Sequence, residues 1–377
     1  MRIATDFEGA RIEVLAAERG APIRLAVPPD PAHPRFRQWF AFAVEDAAGE
    51  PLSFALENAA SCTWPRAWAD YRVCASHDGE AWFRVPTTYT EGVLRFEDTP
   101  SSGRAFYAYY PPCSNARIDA LVTRAAAAGA RTRSLARTEG GRDVMLVEFG
   151  RVSETAPAIW IVAQQHPGEH MAGYWVEGFV GALLARGMDA RALLSAATVA
   201  IVPRINPDGV AIGAHRTNAA GIDMNRQWLA PDAKAPEVAA VRAAMQARGC
   251  AFFLDVHGDE VIPYVFAQGT EGVPMRTPRA AALEADFLAS LGAASPDLQT
   301  VHGYPKDAPG KANLRIAANW AADLFDALSF TLEMPFIDNA NRPDARAGWS
   351  IERCRALGAA FVPALAATLP RLGGRRG

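Results

Sequence analysis

The chain has 377 residues, half of them hydrophobic and 21% charged, with a formal net charge of -3. That length exceeds one typical core and predicts two domains. The near-neutral balance carries no bulk field for nucleic acid or an anionic membrane, so neither is expected as a partner.

Taken from its start, Met1-Arg2-Ile3-Ala4-Thr5-Asp6-Phe7-Glu8 lacks the long apolar core of a secretory signal, and no apolar run reaches membrane-spanning length. The five cysteines (Cys62, Cys74, Cys113, Cys250, Cys354) are odd in number and irregularly spaced, which argues for free thiols in a reducing compartment. A cytoplasmic location is the expectation.

Residues 1–112 read as β. Ile23-Arg24-Leu25-Ala26-Val27, Gln38 to Val44 and Phe106 to Tyr110 are β-rich in composition and split by Pro, Gly and Asp clusters. Asp78-Gly79 is a hairpin signal between Arg72 to Ala75 and Trp82 to Val85. An antiparallel β-sandwich is the simplest arrangement of such strands. Trp64, Trp68, Tyr71 and Trp82 could line a binding surface, but core packing is the commoner use of such rings. Tyr110-Pro111-Pro112 makes a stiff exit and sets the domain boundary.

From 113 to 370 helices and strands alternate, which predicts a mixed, mainly parallel sheet between helix layers, a three-layer α/β/α domain. Ala116 to Ala128 has helical spacing and stops at Gly129, Met145 to Phe149 reads as a strand, and Trp175 to Arg186 as a helix. Residues 371–377, Arg-Leu-Gly-Gly-Arg-Arg-Gly, read as a disordered tail.

The chemistry begins where the apolar run Ala158 to Ala163 ends in Gln164-Gln165-His166-Pro167-Gly168-Glu169-His170. His166-x-x-Glu169-His170 fits a helical zinc pattern in which both histidines are ligands and the Glu is the base. Pro167 and Gly168 disfavour helix interior, so a turn with His166 and Glu169 as ligands is the better reading, His170 falling behind them. A second apolar run, Phe252 to Val256, delivers His257, the third ligand of an open zinc site. Asp255, two residues earlier, shares the face of His257 along a straight strand and is placed behind it. In Phe330-Thr331-Leu332-Glu333-Met334, an acid sits in a segment otherwise suited to burial, and such a carboxylate is paired, metal-linked or catalytic.

His166-Pro167-Gly168-Glu169, Asn206-Pro207-Asp208-Gly209, Gly221-Ile222-Asp223-Met224-Asn225-Arg226, Asp255-Val256-His257 and Thr331-Leu332-Glu333 together resemble, in order, the motif set of the zinc metallocarboxypeptidases. They look most like the cytosolic carboxypeptidase branch, including its bacterial members, whose catalytic domain follows an N-terminal β-sandwich. The resemblance implies one Zn2+ on His166, Glu169 and His257, Glu333 as general base and acid, and Arg216 as the group that steadies the oxyanion. It assigns Asn225 and Arg226 to the substrate's terminal carboxylate, for which Arg is chemically suited. The implied substrate is the C-terminus of a peptide or protein tail, with an acidic (Glu) terminus as the finer expectation, and Lys311 and Arg315 are the cations nominated to meet it. Two other readings share these residues: a zinc deacylase or amidase acting on N-acyl amino acids, and a non-catalytic binding protein that recognises through its β-sandwich. The digestive relatives' mobile tyrosine has Tyr304 and Tyr264 as candidates, without a spacing argument for either.

Overall fold

The computed structural model describes residues 1–151 and 156–372. The expectation of a disordered tail falls mainly on 373–377, outside the described residues.

Ten strands come first: β1 (Arg2–Ala4), β2 (Glu13–Ala16), β3 (Ile23–Ala26), β4 (Ala41–Glu45), β5 (Leu52–Leu56), β6 (Cys74–Ser76), β7 (Phe83–Arg84), β8 (Thr87–Thr90), β9 (Val93–Asp98) and β10 (Arg104–Ala108). They form two five-stranded sheets, ordered β1-β4-β10-β6-β7 and β2-β3-β5-β9-β8. All pairings are antiparallel except β3 with β5. Apolar residues alternate with polar ones along β5 and β9, so Phe54 and Phe96 turn inward and stack on one another at 4.5 Å. Phe42 and Tyr107 of the facing sheet close on Phe54 at 5.8 and 4.8 Å, which makes this a sandwich. Around Asp78-Gly79, Ala75 pairs with Phe83, as the hairpin signal required.

The remaining chain builds one seven-stranded sheet from β11 (Arg131–Arg137), β12 (Asp143–Gly150), β13 (Ala158–Ala163), β14 (Thr198–Val202), β15 (Phe252–Asp259), β16 (Phe266–Gln268) and β17 (Leu328–Pro335). Its order is β11-β12-β14-β13-β15-β17-β16. The central strands β14, β13, β15 and β17 are parallel, and the flanking pairings are antiparallel. The sheet is therefore mixed, as expected, with a parallel centre and antiparallel flanks. β11 and β12 are joined by a turn closed by Thr138, whose amide donates to Arg142 O, and a connection that short permits only antiparallel pairing.

Helices between the strands include α1 (Asn115–Ala127), α3 (Met188–Ala196), α4 (Pro207–Ala211) and α6 (Pro278–Ala294), and both sheet faces are covered, so the central strands are buried throughout. Ile159 and Ile161 of β13 face a layer containing α2 (Met171–Leu184) and α8 (Ile351–Thr368), while Trp160 and Val162 face α5 (Pro236–Arg248) and α7 (Ala317–Phe325). Two glycines let α2 and α8 touch through their backbones: a Cβ on Gly178 would lie 2.0 Å from Arg355 O, and one on Gly358 would lie 2.1 Å from Trp175 O.

Candidate active site

Three neighbouring parallel strands, β13, β15 and β17, run out at one edge of the sheet. His257 on β15 pairs in register with Glu333 on β17, and the turn after β13 carries His166 and Glu169. That turn is not helical, in keeping with its Pro-Gly core; α2 starts only after His170.

The turn is held by its own backbone and by neighbours. Gln164 adopts a positive φ of 60°, and its Nε2 donates to Pro167 O at 2.8 Å while Arg204 Nε donates to its Oε1 at 2.9 Å. Gly168 donates its N–H to His215 O at 3.0 Å, and a Cβ on Gly168 would lie 2.4 Å from His215 Nδ1. Glycine is required there by close approach rather than by its dihedral angles. His170 turns away from the other two residues: its Nδ1 accepts from Cys113 N at 3.0 Å, its ring packs on Trp39 at 4.5 Å, and burial lowers its pKa to about 3.

His166, Glu169 and His257 converge. One donor atom from each lies within 4.8 Å of the others, and all three side chains are buried. Glu169 Oε1 lies 2.7 Å from His166 Nδ1, and its Oε2 lies 2.8 Å from His257 Nδ1. The two Nδ1 atoms are 3.1 Å apart. The outer nitrogens are held by acids: His257 Nε2 lies 2.8 Å from Asp255 Oδ2, and His166 Nε2 lies 3.2 Å from Asp223 Oδ1. Behind Asp255, Gln165 Nε2 donates to Oδ2 at 2.6 Å, and Trp228 Nε1 donates to Gln165 Oε1 at 2.7 Å.

Burial would raise the Glu169 pKa, but His166 and His257 outweigh it and the net shift is downward. Burial would lower that of His257, but Asp255 and Glu169 outweigh it and the net shift is upward. Two inward nitrogens and a carboxylate, each outer nitrogen tied to an acid, fit a divalent metal with one position open to solvent.

Glu333 faces the same cavity of about 560 Å³, with His166, Glu169, His257, Arg216, Asn225 and Arg226 also on its wall. Its Oε1 accepts from Tyr304 OH at 3.1 Å, and its Oε2 is buried without a partner. Burial raises its pKa well above the ordinary carboxyl value, with Glu169 and Asp259 adding to the shift. The Tyr304 hydroxyl also lies 2.7 Å from Asp259 Oδ2, and with one proton it donates to one of the two acids at a time.

Arg216 Nε donates to Asp223 Oδ2 at 3.0 Å, and the guanidinium lies 5.7 Å from the Trp64 ring centroid. Asn225 is anchored on one side only: Oδ1 accepts from Ala317 N at 2.9 Å, while Nδ2 lies 3.2 Å from His257 Nε2, whose proton goes to Asp255, so the amide hydrogens stay available. Arg226 Nη1 donates to Asn225 O at 2.8 Å. Lys311 and Arg315 are exposed and do not line the cavity; Arg315 Nε instead donates to Arg226 O at 2.9 Å. Trp68 and Tyr71 are buried in the sandwich, but half-buried Trp64 lies on the cavity wall.

A three-layer α/β/α domain with this cluster and a facing glutamate defines a metallopeptidase-type hydrolase. Family models match along the chain: residues 3–110 match "Cytosolic carboxypeptidase N-terminal domain" and residues 118–340 match "Zinc carboxypeptidase". A metallo-carboxypeptidase from Burkholderia cenocepacia superposes with a TM-score of 0.95 at 41% identity, over 98% of this chain and 99% of that one. A metallo-carboxypeptidase from Pseudomonas aeruginosa, in complex with (2-guanidinoethylmercapto)succinic acid, superposes with 0.94 at 42% identity, over 99% and 100%. An uncharacterised protein of Zymomonas mobilis is 38% identical over 375 residues, 99% of this chain and 97% of its own. The chain belongs to the zinc carboxypeptidase family and is a metallocarboxypeptidase.

Proposed function

We propose that this chain is a zinc-dependent exopeptidase that removes the last residue from peptides or flexible protein tails in the cytoplasm, through a catalytic domain starting at residue 113. The observation that carries the reading is the convergence of His166, Glu169 and His257 beside the unpartnered Oε2 of Glu333.

When bound by those three residues, zinc supplies a Lewis acid that polarises a carbonyl and makes water acidic near neutral pH. Glu333 accepts the water proton at Oε2 and returns it to the departing amine. Tyr304 fixes the other oxygen of Glu333, which leaves one lone-pair face for the reaction. Arg216 is a fixed cation for the oxyanion, oriented by Asp223.

Arg226 and Asn225 together grip the terminal carboxylate, Asn225 through the amide hydrogens left available when its Oδ1 is anchored to Ala317 N. The (2-guanidinoethylmercapto)succinic acid bound by the Pseudomonas aeruginosa protein is a dicarboxylate, a fitting guest for a cavity with two arginines on its wall. Preference for a C-terminal Glu, the finer expectation, has to be read by wall residues such as Gln268 and Asn319, because Lys311 and Arg315 lie off that wall.

The test is zinc content together with mass-spectrometric release of terminal residues from a peptide library, run beside Glu333→Gln. Loaded protein that releases nothing, with Glu333→Gln changing nothing, would refute the reading.

A further inference from the structure

The segment that carries Arg216 is held from the side of the N-terminal sandwich. Asp30, only 4% exposed, accepts from three consecutive backbone amides: Oδ1 from His215 N at 2.6 Å, and Oδ2 from Arg216 N at 2.8 Å and Thr217 N at 3.0 Å. Thr217 Oγ1 adds a contact to Oδ2 at 3.3 Å. A carboxylate taking several amide donors makes charge-assisted bonds stronger than neutral ones.

The rest of the Asp30 loop continues the grip. Phe36 lies 5.9 Å below the Arg216 guanidinium and stacks with Trp64, the second ring under that cation. Phe36 and Trp64 are joined through their neighbours, since Arg37 N donates to Thr63 Oγ1 at 2.7 Å and Thr63 N donates to Arg37 O at 2.8 Å. Gly221, at φ +79°, approaches Ala32 so closely that a Cβ would lie 2.5 Å from its carbonyl oxygen. Gly213 sits as tightly on Gly9, and Gly9 N donates to Ala211 O at 3.2 Å.

We infer that Asp30 is a positioning residue for the reaction: the sandwich aims Arg216 at the scissile carbonyl by fixing the backbone of residues 215–217. The inference rests on the role given to Arg216 above. Asp30 is buried off the cavity wall and acts through the backbone that carries Arg216.

The test is a double-mutant cycle in kcat on the full, zinc-loaded chain. Asp30→Asn keeps the shape but turns an NH2 toward backbone donors, and should lower kcat by roughly 10- to 100-fold, as a misplacement near 1 Å does, with zinc content intact and KM within about twofold. In an Arg216→Ala background the same substitution should cost nothing further. An equal cost in both backgrounds, with Arg216→Ala itself impaired, would overturn the positioning role and leave the role of Arg216 standing. Full activity of Arg216→Ala would remove both. If Asp30→Asn fails to fold, Phe36→Leu in the same cycle gives the same decision.

Discussion

Asp255→Asn probes the metal cluster from behind. The wild-type carboxylate holds His257 Nε2 at 2.8 Å and receives Gln165 Nε2 at 2.6 Å, while its Oδ1 is buried without a partner. Asparagine can keep an oxygen at the Oδ2 position, so the hydrogen-bonding shape survives. What is lost is the negative charge that makes the imidazole a stronger donor to a metal. Partners of this kind typically contribute about 10- to 100-fold in metal affinity, or roughly 1.4–2.7 kcal/mol. Chelator competition at pH 7.5 should therefore show zinc held about 10- to 100-fold more weakly. Activity should recover at saturating zinc, because Glu333 and Arg216 are untouched. Metal binding also displaces the proton that Asp255 and Glu169 favour on His257, so wild-type affinity should rise with pH, and less steeply in the variant. Unchanged zinc affinity would refute the relay; a defect that excess zinc cannot restore would show that the residue acts on the fold instead.

Glu333→Gln should retain metal but lose about 10²- to 10⁴-fold in kcat, and a variant within about tenfold of wild type would contradict its acid-base role. Gly358→Ala places a Cβ 2.1 Å from Trp175 O, forcing α2 and α8 apart; a loss of about 1–3 kcal/mol or more should appear as a lower urea midpoint, and an unchanged midpoint would contradict that close crossing. Glu237 has a buried, unpartnered Oε2, and burial, with Asp208 and Glu139 nearby, raises its pKa to about 7. A raised carboxyl favours folding while protonated, so that contribution is whole below about pH 4.5 and is lost as pH rises through 7. Glu237→Gln should therefore stabilise the protein at pH 8, by about 1–3 kcal/mol once screening is allowed for, and not at pH 4; equal stability of the two proteins at pH 8 would count against the shift.

The clustering of His166, Glu169 and His257 is legible because both histidines follow or close a short apolar strand run. Pro167-Gly168 mark the turn that carries His166 out of the sheet, His257 closes the apolar run of β15, and Glu333 stands out as an acid in an apolar run. The mixed sheet and the sandwich were legible for the same reason, since alternation and turn residues are local signals. The surroundings were not. Tyr304 lies in a loop without periodicity, so nothing in spacing ties it to Asp259 and Glu333. Trp64 has the composition of a core ring, yet it sits on the cavity wall, because a domain contact decides its environment. Asp30-Pro31 reads as an ordinary turn, and its partners are 185 residues and more away. Charge alone also misdirects: Lys311 and Arg315 lie close to the site in sequence, but their loop carries them off the wall.

The ends of β13, β15 and β17 act as a ruler. Val256 is paired with Ala163 on one side and Leu332 on the other, so the backbone positions from which the His166 turn, His257 and Glu333 project are set one interstrand distance apart, about 4.8 Å. Insertions in the connections between these strands leave that spacing untouched, whereas a slip of one residue in β17 would turn Glu333 to the opposite face. Chain length around this centre is therefore free to drift, and strand alignment is not.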